Sequence, residues 1–203
     1  MGQTLTPVVR NILIACVAVF VLQMVVGPGM VATFALWPPN DFSPHFEPWQ
    51  LISYAFLHDP RNYLHILFNM FALYMFGPDV ERLLGQRRFL VYYLVCVLGA
   101  ALAQLLALSA LGNPPSPTVG ASGGIFGLLL AYGLAFPHRR LMLIFPPIPM
   151  PAWLFVTLYG LIELYLGVSG HDSSVAHFAH LGGMVGGFAL ILYWRSTVRR
   201  NGR

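Results

Sequence analysis

Residues 120–136 read GASGGIFGLLLAYGLAF, an apolar stretch that opens on a serine among small residues. The stretch carries no charge and approaches the length of a membrane-spanning helix, for which about 20 apolar residues are typical. Its glycines recur four residues apart, and this spacing allows helix backbones to approach closely in lipid. We therefore predict a tightly packed transmembrane helix with Ser122 in its first turn.

The rest of the chain has the same apolar character. Of its 203 residues, 57% are hydrophobic and 9% are charged, whereas a soluble domain carries about 25% charged residues. This composition excludes a soluble enzyme and a nucleic-acid-binding protein, in spite of the net charge of +4. The two cysteines, Cys16 and Cys96, lie inside apolar stretches, so we interpret them as buried thiols and predict neither a disulfide nor a metal site.

Six apolar stretches predict an all-α membrane bundle of six transmembrane helices that forms one domain over residues 1–203. The spans lie at about residues 11–27, 62–77, 89–108, 120–136, 151–167 and 175–194. Ten of the eleven basic residues, all of them arginines, fall at the N-terminus, in the second and fourth loops and in the tail. By the positive-inside rule, this asymmetry places both termini in the cytoplasm.

Polar groups recur near the non-cytoplasmic end of three predicted spans. The second span carries His65 and Asn69 on one helix face, the fourth opens near Ser122, and the sixth carries His177 and His180. Strongly polar residues are rare inside a membrane and usually face the bundle interior or a wet cavity. Because the three spans run in the same direction, these groups lie at one depth, and we predict a site there.

The sixth span carries its small residues on the same face as an imidazole. His180, Gly183 and Gly187 are spaced i, i+3 and i+7. We expect this face to pack on the fourth span and to bring His180 within hydrogen-bond reach of Ser122. A serine beside a histidine is the minimum for an activated nucleophile. Phe126, one turn after Ser122, is predicted to pack against the imidazole.

Acyl transfer also requires hydrogen-bond donors for the oxyanion. The candidates are the backbone N–H of Ser122, the side-chain amide of Asn69 and the imidazole of His65. The structural alternative is that His65 and Asn69 form a hydrogen-bonded pair that joins helices. Glu163 is the only carboxylate within a span, and we expect it to reach the outer interface or a wet cavity without taking part in catalysis. With no acid evident beside His180, we predict a Ser–His dyad.

The motifs are His65-x-x-x-Asn69, Gly120-Ala121-Ser122-Gly123, Ala179-His180-x-x-Gly183-x-x-x-Gly187 and, after the second span, Glu81-Arg82-Leu83-Leu84-Gly85. In this order, and over essentially the whole chain, they resemble the rhomboid intramembrane serine proteases in their basic six-span bacterial form. The resemblance implies that Ser122 is the nucleophile and His180 the general base and acid. It further implies that His65, Asn69 and the Ser122 amide form the oxyanion hole. We assign supporting positions in the site to Gly120, Gly123, Phe126, Gly183 and Gly187.

The resemblance also implies what the protein acts on. Substrates of this family are single-span membrane proteins, which are cut in or near the bilayer at small residues. The expected location is a bacterial inner membrane, with the active site open to the periplasmic side and with no cofactor, metal or nucleic acid. One departure is that the first loop has Trp49-Gln50 where some members carry a Trp-Arg pair. Any loop-anchoring role of that arginine is therefore not carried over.

The remaining polar residues receive structural interpretations. The polar fifth loop, residues 167–174, is predicted to be a lid over Ser122. His177 is assigned to structure or to this lid, because the His-Glu-x-x-His motif of metalloproteases is absent. His58 and Asp59 in the first loop are expected to be solvated.

Three other functions stay open at this point. A catalytically silent membrane protein would bind transmembrane segments without activating Ser122. A haem-binding cytochrome would use His65 and His180 as axial ligands, although the glycine faces leave little room for haem. A channel or transporter would be expected to show internal symmetry and broken helices, and the sequence shows neither.

Overall fold

A computed structural model of the protein describes residues 4–39, 44–111, 116–142, 147–169 and 176–201. Most of these residues are helical. In chain order the helices are α1 (Pro7–Val26), α2 (Gly29–Phe34), α3 (Gln50–Ser53), α4 (Tyr63–Leu84), α5 (Gln86–Leu111), α6 (Ser122–Ala135), α7 (Ala152–Ser169) and α8 (His177–Asn201), with a 3₁₀ turn at Tyr54–Phe56 after α3.

Each predicted span coincides with one long helix, so the helical part of the prediction is confirmed. The helices α4 and α8 continue seven residues beyond the predicted spans, because polar residues end an apolar stretch without ending a helix. Among the described residues, three helices are long and apolar enough to cross a membrane by length and composition, namely Pro7–Val26, Gln86–Ala110 and Ala152–Ser169. The helix α6 is apolar but shorter, and the count of six spans stays a prediction.

The helix α8 packs on both α5 and α6, and glycines allow the close approach. A Cβ atom added to Gly183 would collide with the backbone carbonyl oxygen of Gly123, which confirms the predicted contact between the fourth and sixth spans. A Cβ atom on Gly187 would instead meet Tyr92 and Cys96 of α5. The nearest neighbours of Gly187 thus lie on α5, and α8 packs in the groove between α5 and α6.

Two short strands depart from the predicted all-α fold. Strand β1 (Arg140–Met142) pairs antiparallel with β2 (Pro149–Pro151), and Leu141 lies opposite Met150. Proline is tolerated in a strand where its missing N–H faces away from the partner. The apolar, proline-rich sequence of this segment gave no alternating pattern from which a strand is predicted. The pair ends directly at the start of α7 and so fixes where that helix begins.

The loop between α1 and α4 is tied to the start of α6 by hydrogen bonds. Buried Gln50 accepts a hydrogen bond from the Trp37 N–H at 3.1 Å, and its amide donates to the Thr33 carbonyl at 3.3 Å. The backbones of Leu36 and Thr118 exchange two hydrogen bonds of 3.0 and 2.9 Å. Gln50 thus anchors the loop at the position where the resemblance places an arginine in some members.

Candidate active site

The first residue of α6 meets the first turn of α8. The Ser122 Oγ atom lies 2.8 Å from His180 Nε2, so the predicted hydrogen-bond contact is present. The contact between Gly183 and the Gly123 backbone brings these two helix ends together. Because Ser122 is in the first turn of a helix, its backbone N–H has no partner within that helix.

An aromatic ring packs against the face of the His180 imidazole. The rings of Phe126 and His180 are stacked, with centroids 4.1 Å apart and planes 6° apart, which confirms the predicted packing. Tyr159 of α7 lies against the Phe126 ring at 5.5 Å. His180 is 8% exposed, so its ring is enclosed by protein on most sides.

A carboxylate lies beside His180, contrary to the sequence-based expectation. The Glu163 Oε2 atom lies 2.8 Å from His180 Nδ1 and 2.6 Å from His177 Nδ1. Ala152, Val156 and Glu163 are the buried residues of α7, and their spacing places them on one helix face. Glu163 therefore faces the bundle and His180, and the expectation that it reaches the outer interface or a wet cavity is wrong.

His65 is held with a defined proton position. The Asp59 backbone N–H donates to His65 Nδ1 at 3.2 Å, so in the neutral ring Nε2 carries the proton. This nitrogen faces Gly120, where a Cβ atom would lie only 2.8 Å from it. The φ angle of Gly120 is +127°, so both backbone conformation and space require glycine there. An N–H donor is thereby directed towards the start of α6.

Asn69 is buried one turn further along α4. Its Nδ2 donates to the His65 carbonyl oxygen at 2.8 Å, within the same helix. Its Oδ1 has no hydrogen-bond partner among the described residues. The structural alternative, in which His65 and Asn69 join helices as a hydrogen-bonded pair, is therefore not the arrangement found, and the role of Asn69 as an oxyanion donor stays a prediction.

His58 is buried behind this site, so its expected solvation is wrong. Its backbone pairs with the Gln23 side chain at 3.0 Å in both directions, and this pair draws the residue inside. The ring lies 5.2 Å from the His65 ring, and within the described chain neither of its nitrogens has a partner. Burial, with a smaller contribution from His65, lowers the pKa of His58 to about 4.

The structural role predicted for His177 agrees with its bond to Glu163, whereas the lid prediction falls mainly on residues 170–174, which lie outside the described residues.

The ligand atoms of Glu163, His177 and His180 lie within 4.8 Å of one another, a set able to hold a metal ion. In this structure the Nδ1 atoms of both histidines lie within hydrogen-bond distance of the Glu163 carboxylate. Both ring nitrogens of His180 are in hydrogen bonds, which leaves neither free as an axial haem ligand.

The helices and the site together define a helical membrane protein with a Ser–His pair at the start of a buried helix. The family model of the Rhomboid domain matches residues 45–197. This match covers most of the chain and all the residues of the candidate site. The chain therefore belongs to the rhomboid family and is an integral membrane protein.

Individual relatives agree with this assignment. The chain is 29% identical over 192 residues to proteins named rhomboid protease GlpG from Yersinia enterocolitica, Yersinia pestis and Yersinia pseudotuberculosis. These alignments cover 93% of this chain and 62% of each relative. The chain thus spans somewhat less than two thirds of the length of the curated relatives that it matches.

Proposed function

We propose that this protein is an intramembrane serine endopeptidase, with Ser122 as nucleophile and His180 as general base and acid. The observation that carries the proposal is the 2.8 Å contact between Ser122 Oγ and His180 Nε2 in a chain of the rhomboid family. The names of the Yersinia relatives, rhomboid protease, agree with this activity. Two hydrogen-bond donors near Ser122, the His65 Nε2–H on α4 and the Ser122 backbone N–H at the start of α6, support acyl transfer at this site.

In the proposed reaction, Ser122 Oγ attacks the carbonyl carbon of a peptide bond while its proton passes to His180 Nε2. The carbonyl oxygen becomes an oxyanion, which accepts hydrogen bonds from His65 Nε2–H, the Asn69 amide and the Ser122 N–H. His180 then gives the proton to the leaving amine, and the peptide bond breaks. Water, activated by the same imidazole, hydrolyses the acyl-enzyme and restores Ser122.

The proposed substrates are single-span transmembrane proteins, cut in or near the bilayer. We place the protein in a bacterial inner membrane with six spans, both termini in the cytoplasm and the site open to the periplasm. The arginine asymmetry of the sequence supports this orientation. A C-terminal epitope tag tests it: in spheroplasts the tag should resist added protease until the membrane is permeabilised. Degradation in intact spheroplasts would contradict the orientation.

Labelling by a fluorophosphonate probe in detergent tests the activity without a guess about the substrate. Wild type should label, and Ser122→Ala and His180→Ala should not. Ser109→Ala is the matched control, because the Ser109 hydroxyl donates to its own helix at the Leu105 carbonyl, outside the site. A folded wild-type protein that stays unlabelled would favour the catalytically silent protein that binds transmembrane segments.

Peptidase activity requires a second measurement in lipid. Purified protein in proteoliposomes should cleave a co-reconstituted single-span protein that has small residues near the outer end of its helix. Mass spectrometry of the products locates the cleaved bond. Cleavage that persists in Ser122→Ala would assign the activity to a contaminant or to another residue.

A further inference from the structure

The carboxylate of Glu163 is placed between two imidazoles of the neighbouring helix. His177 and His180 are one turn apart on α8, and both Nδ1 atoms approach the same oxygen, Oε2, at 2.6 and 2.8 Å. All three residues are buried, with 5 to 8% of their surface exposed. A carboxylate in the interior of a membrane protein is rare and is retained where it has a partner.

The hydrogen-bond pattern determines where the protons lie. An ionised carboxylate only accepts hydrogen bonds, so each Nδ1 that contacts Oε2 carries a proton and donates it. In neutral His180 the other nitrogen, Nε2, then has a free lone pair. That lone pair faces the Ser122 hydroxyl at 2.8 Å, the arrangement that a general base requires. Of the two neutral tautomers of His180, Glu163 thus selects the one that is able to accept the serine proton.

We propose that Glu163 is a positioning residue for His180, so that the site works as a Ser122–His180–Glu163 triad in place of the predicted dyad. The inference rests on the proposed function and adds a residue to it. When His180 takes the serine proton, it becomes an imidazolium beside a carboxylate, and the ion pair stabilises that charge. Because Glu163 and His180 are buried, the neighbouring charge has a larger effect than it would in solvent.

His177 has a supporting role in this arrangement. Its Nδ1–H donates to the oxygen that also accepts the bond from His180, so the carboxylate is held from two sides. Without His177, Oε2 would lose its shorter hydrogen bond. We therefore expect His177 to act on His180 only through Glu163, with a smaller effect than Glu163 itself.

The experiment compares fluorophosphonate labelling of purified wild type, Glu163→Gln, Glu163→Asp and His177→Gln, with kinact and KI measured separately. Glu163→Gln should lower kinact by about 100-fold, since positioned acid–base groups contribute roughly 10²- to 10⁴-fold, and should leave KI unchanged. Glu163→Asp keeps the charge and should recover part of this loss. His177→Gln should lower kinact by about fivefold, and it still tests the inference if Glu163→Gln fails to fold.

The matched control is Glu81→Gln, because Glu81 is also a buried carboxylate but bonds Thr6, Val8 and Val9. It should leave kinact of the folded protein unchanged. Nitrogen-15 NMR of histidine-labelled protein supplies a readout that a loss of stability would not change. The His180 signal should show the proton on Nδ1 in wild type and a mixture of tautomers in Glu163→Gln.

The two proposals fail in different ways. If wild type does not label, the proposed function fails. If wild type labels and Ser122→Ala does not, but Glu163→Gln labels at the wild-type kinact with an unchanged His180 tautomer, only the triad is overturned. Loss of labelling on dialysis against EDTA, with recovery on addition of Zn²⁺, would also overturn the triad, because the three residues would then be metal ligands.

Discussion

Two buried glutamates lie in different regions of this protein and have different partners. Glu81, near the end of α4, accepts hydrogen bonds from Thr6 Oγ at 2.5 Å and from the Val8 and Val9 backbone N–H groups at 3.1 and 2.9 Å. It thereby satisfies N–H groups that the first turn of α1 leaves without intrahelical partners. Glu163 in α7 accepts its hydrogen bonds from two imidazoles.

The difference lies in the chemistry of the donors. Backbone N–H groups and a threonine hydroxyl do not act as general acids or bases here, so Glu81 joins α1 to α4. An imidazole accepts and releases a proton in acid–base catalysis, so the charge of Glu163 acts on the proposed general base. One residue type at similar burial thus has a structural role at one end of the bundle and a proposed chemical role at the other.

Disturbing the helix packing at the Ser122 end should have the largest effect on stability and labelling. In Gly183→Val the new side chain collides with the Gly123 carbonyl, so α8 must move away from α6. We expect Gly183→Val to lower the free energy of unfolding by about 3 kcal/mol or more and to abolish fluorophosphonate labelling. Gly29→Val is the control, because a Cβ atom there has nothing within 4 Å. Normal yield and labelling of Gly183→Val, measured after size-exclusion chromatography, would contradict the close packing.

The Ser122 end should also be the acid-sensitive end, because His58 is buried there with its pKa lowered from 6.5 to about 4. Between these values the unfolded chain binds a proton that the folded protein does not, so stability falls as the pH falls from 6.5 to 4. The loss reaches up to ~3 kcal/mol at about 1.4 kcal/mol per pKa unit. His58→Gln removes this titration, and its Tm in detergent should therefore fall less over this range. If the Tm of wild type and that of His58→Gln fell equally with pH, the prediction would be wrong.

At the other end, Glu81→Gln should change stability and leave the chemistry intact. The neutral side chain accepts weaker hydrogen bonds from α1, and we expect a loss of about 2 kcal/mol. Thermal unfolding measures the loss, and the fluorophosphonate labelling rate per folded molecule should stay within about twofold of wild type. The prediction fails if Glu81→Gln slows labelling of the folded protein as much as Glu163→Gln does.

The smallest effect is expected from the ring beside the imidazole. Phe126→Leu keeps most of the volume but removes the face stacked on His180 at 4.1 Å. Stacked aromatic pairs contribute roughly 0.5–1.5 kcal/mol, so labelling should slow by about two- to tenfold. Phe155→Leu is the matched control, because Phe155 stacks on Tyr159 and not on His180. Equal labelling rates for the two variants would exclude a role for the stacked ring.

Much of this fold was predictable because helix positions follow from apolar length and from glycine spacing. The meeting of Ser122 with His180, and of Phe126 with the same imidazole, followed from matched depth and an i, i+4 spacing. These signals are local to single helices. They stay readable in the sequence because the bilayer fixes how deep each helix end lies.

The missed features depend on how helices turn towards one another. Which face of α7 points inward is decided by packing on α8, so the contact of Glu163 with His180 was not predicted from either span alone. A lone carboxylate in an apolar helix was the available signal, and it pointed to the right residue but not to its partner. His58 was missed because Gln23, 35 residues away in the chain, draws it inside.

Locating the fluorophosphonate adduct shows whether His180 activates Ser122. Wild-type protein is labelled in detergent, digested and analysed by mass spectrometry, with His180→Ala treated in parallel. We expect a single adduct on Ser122 in wild type and none in His180→Ala. An adduct on any other serine, or an adduct on Ser122 that persists in His180→Ala, would contradict this expectation.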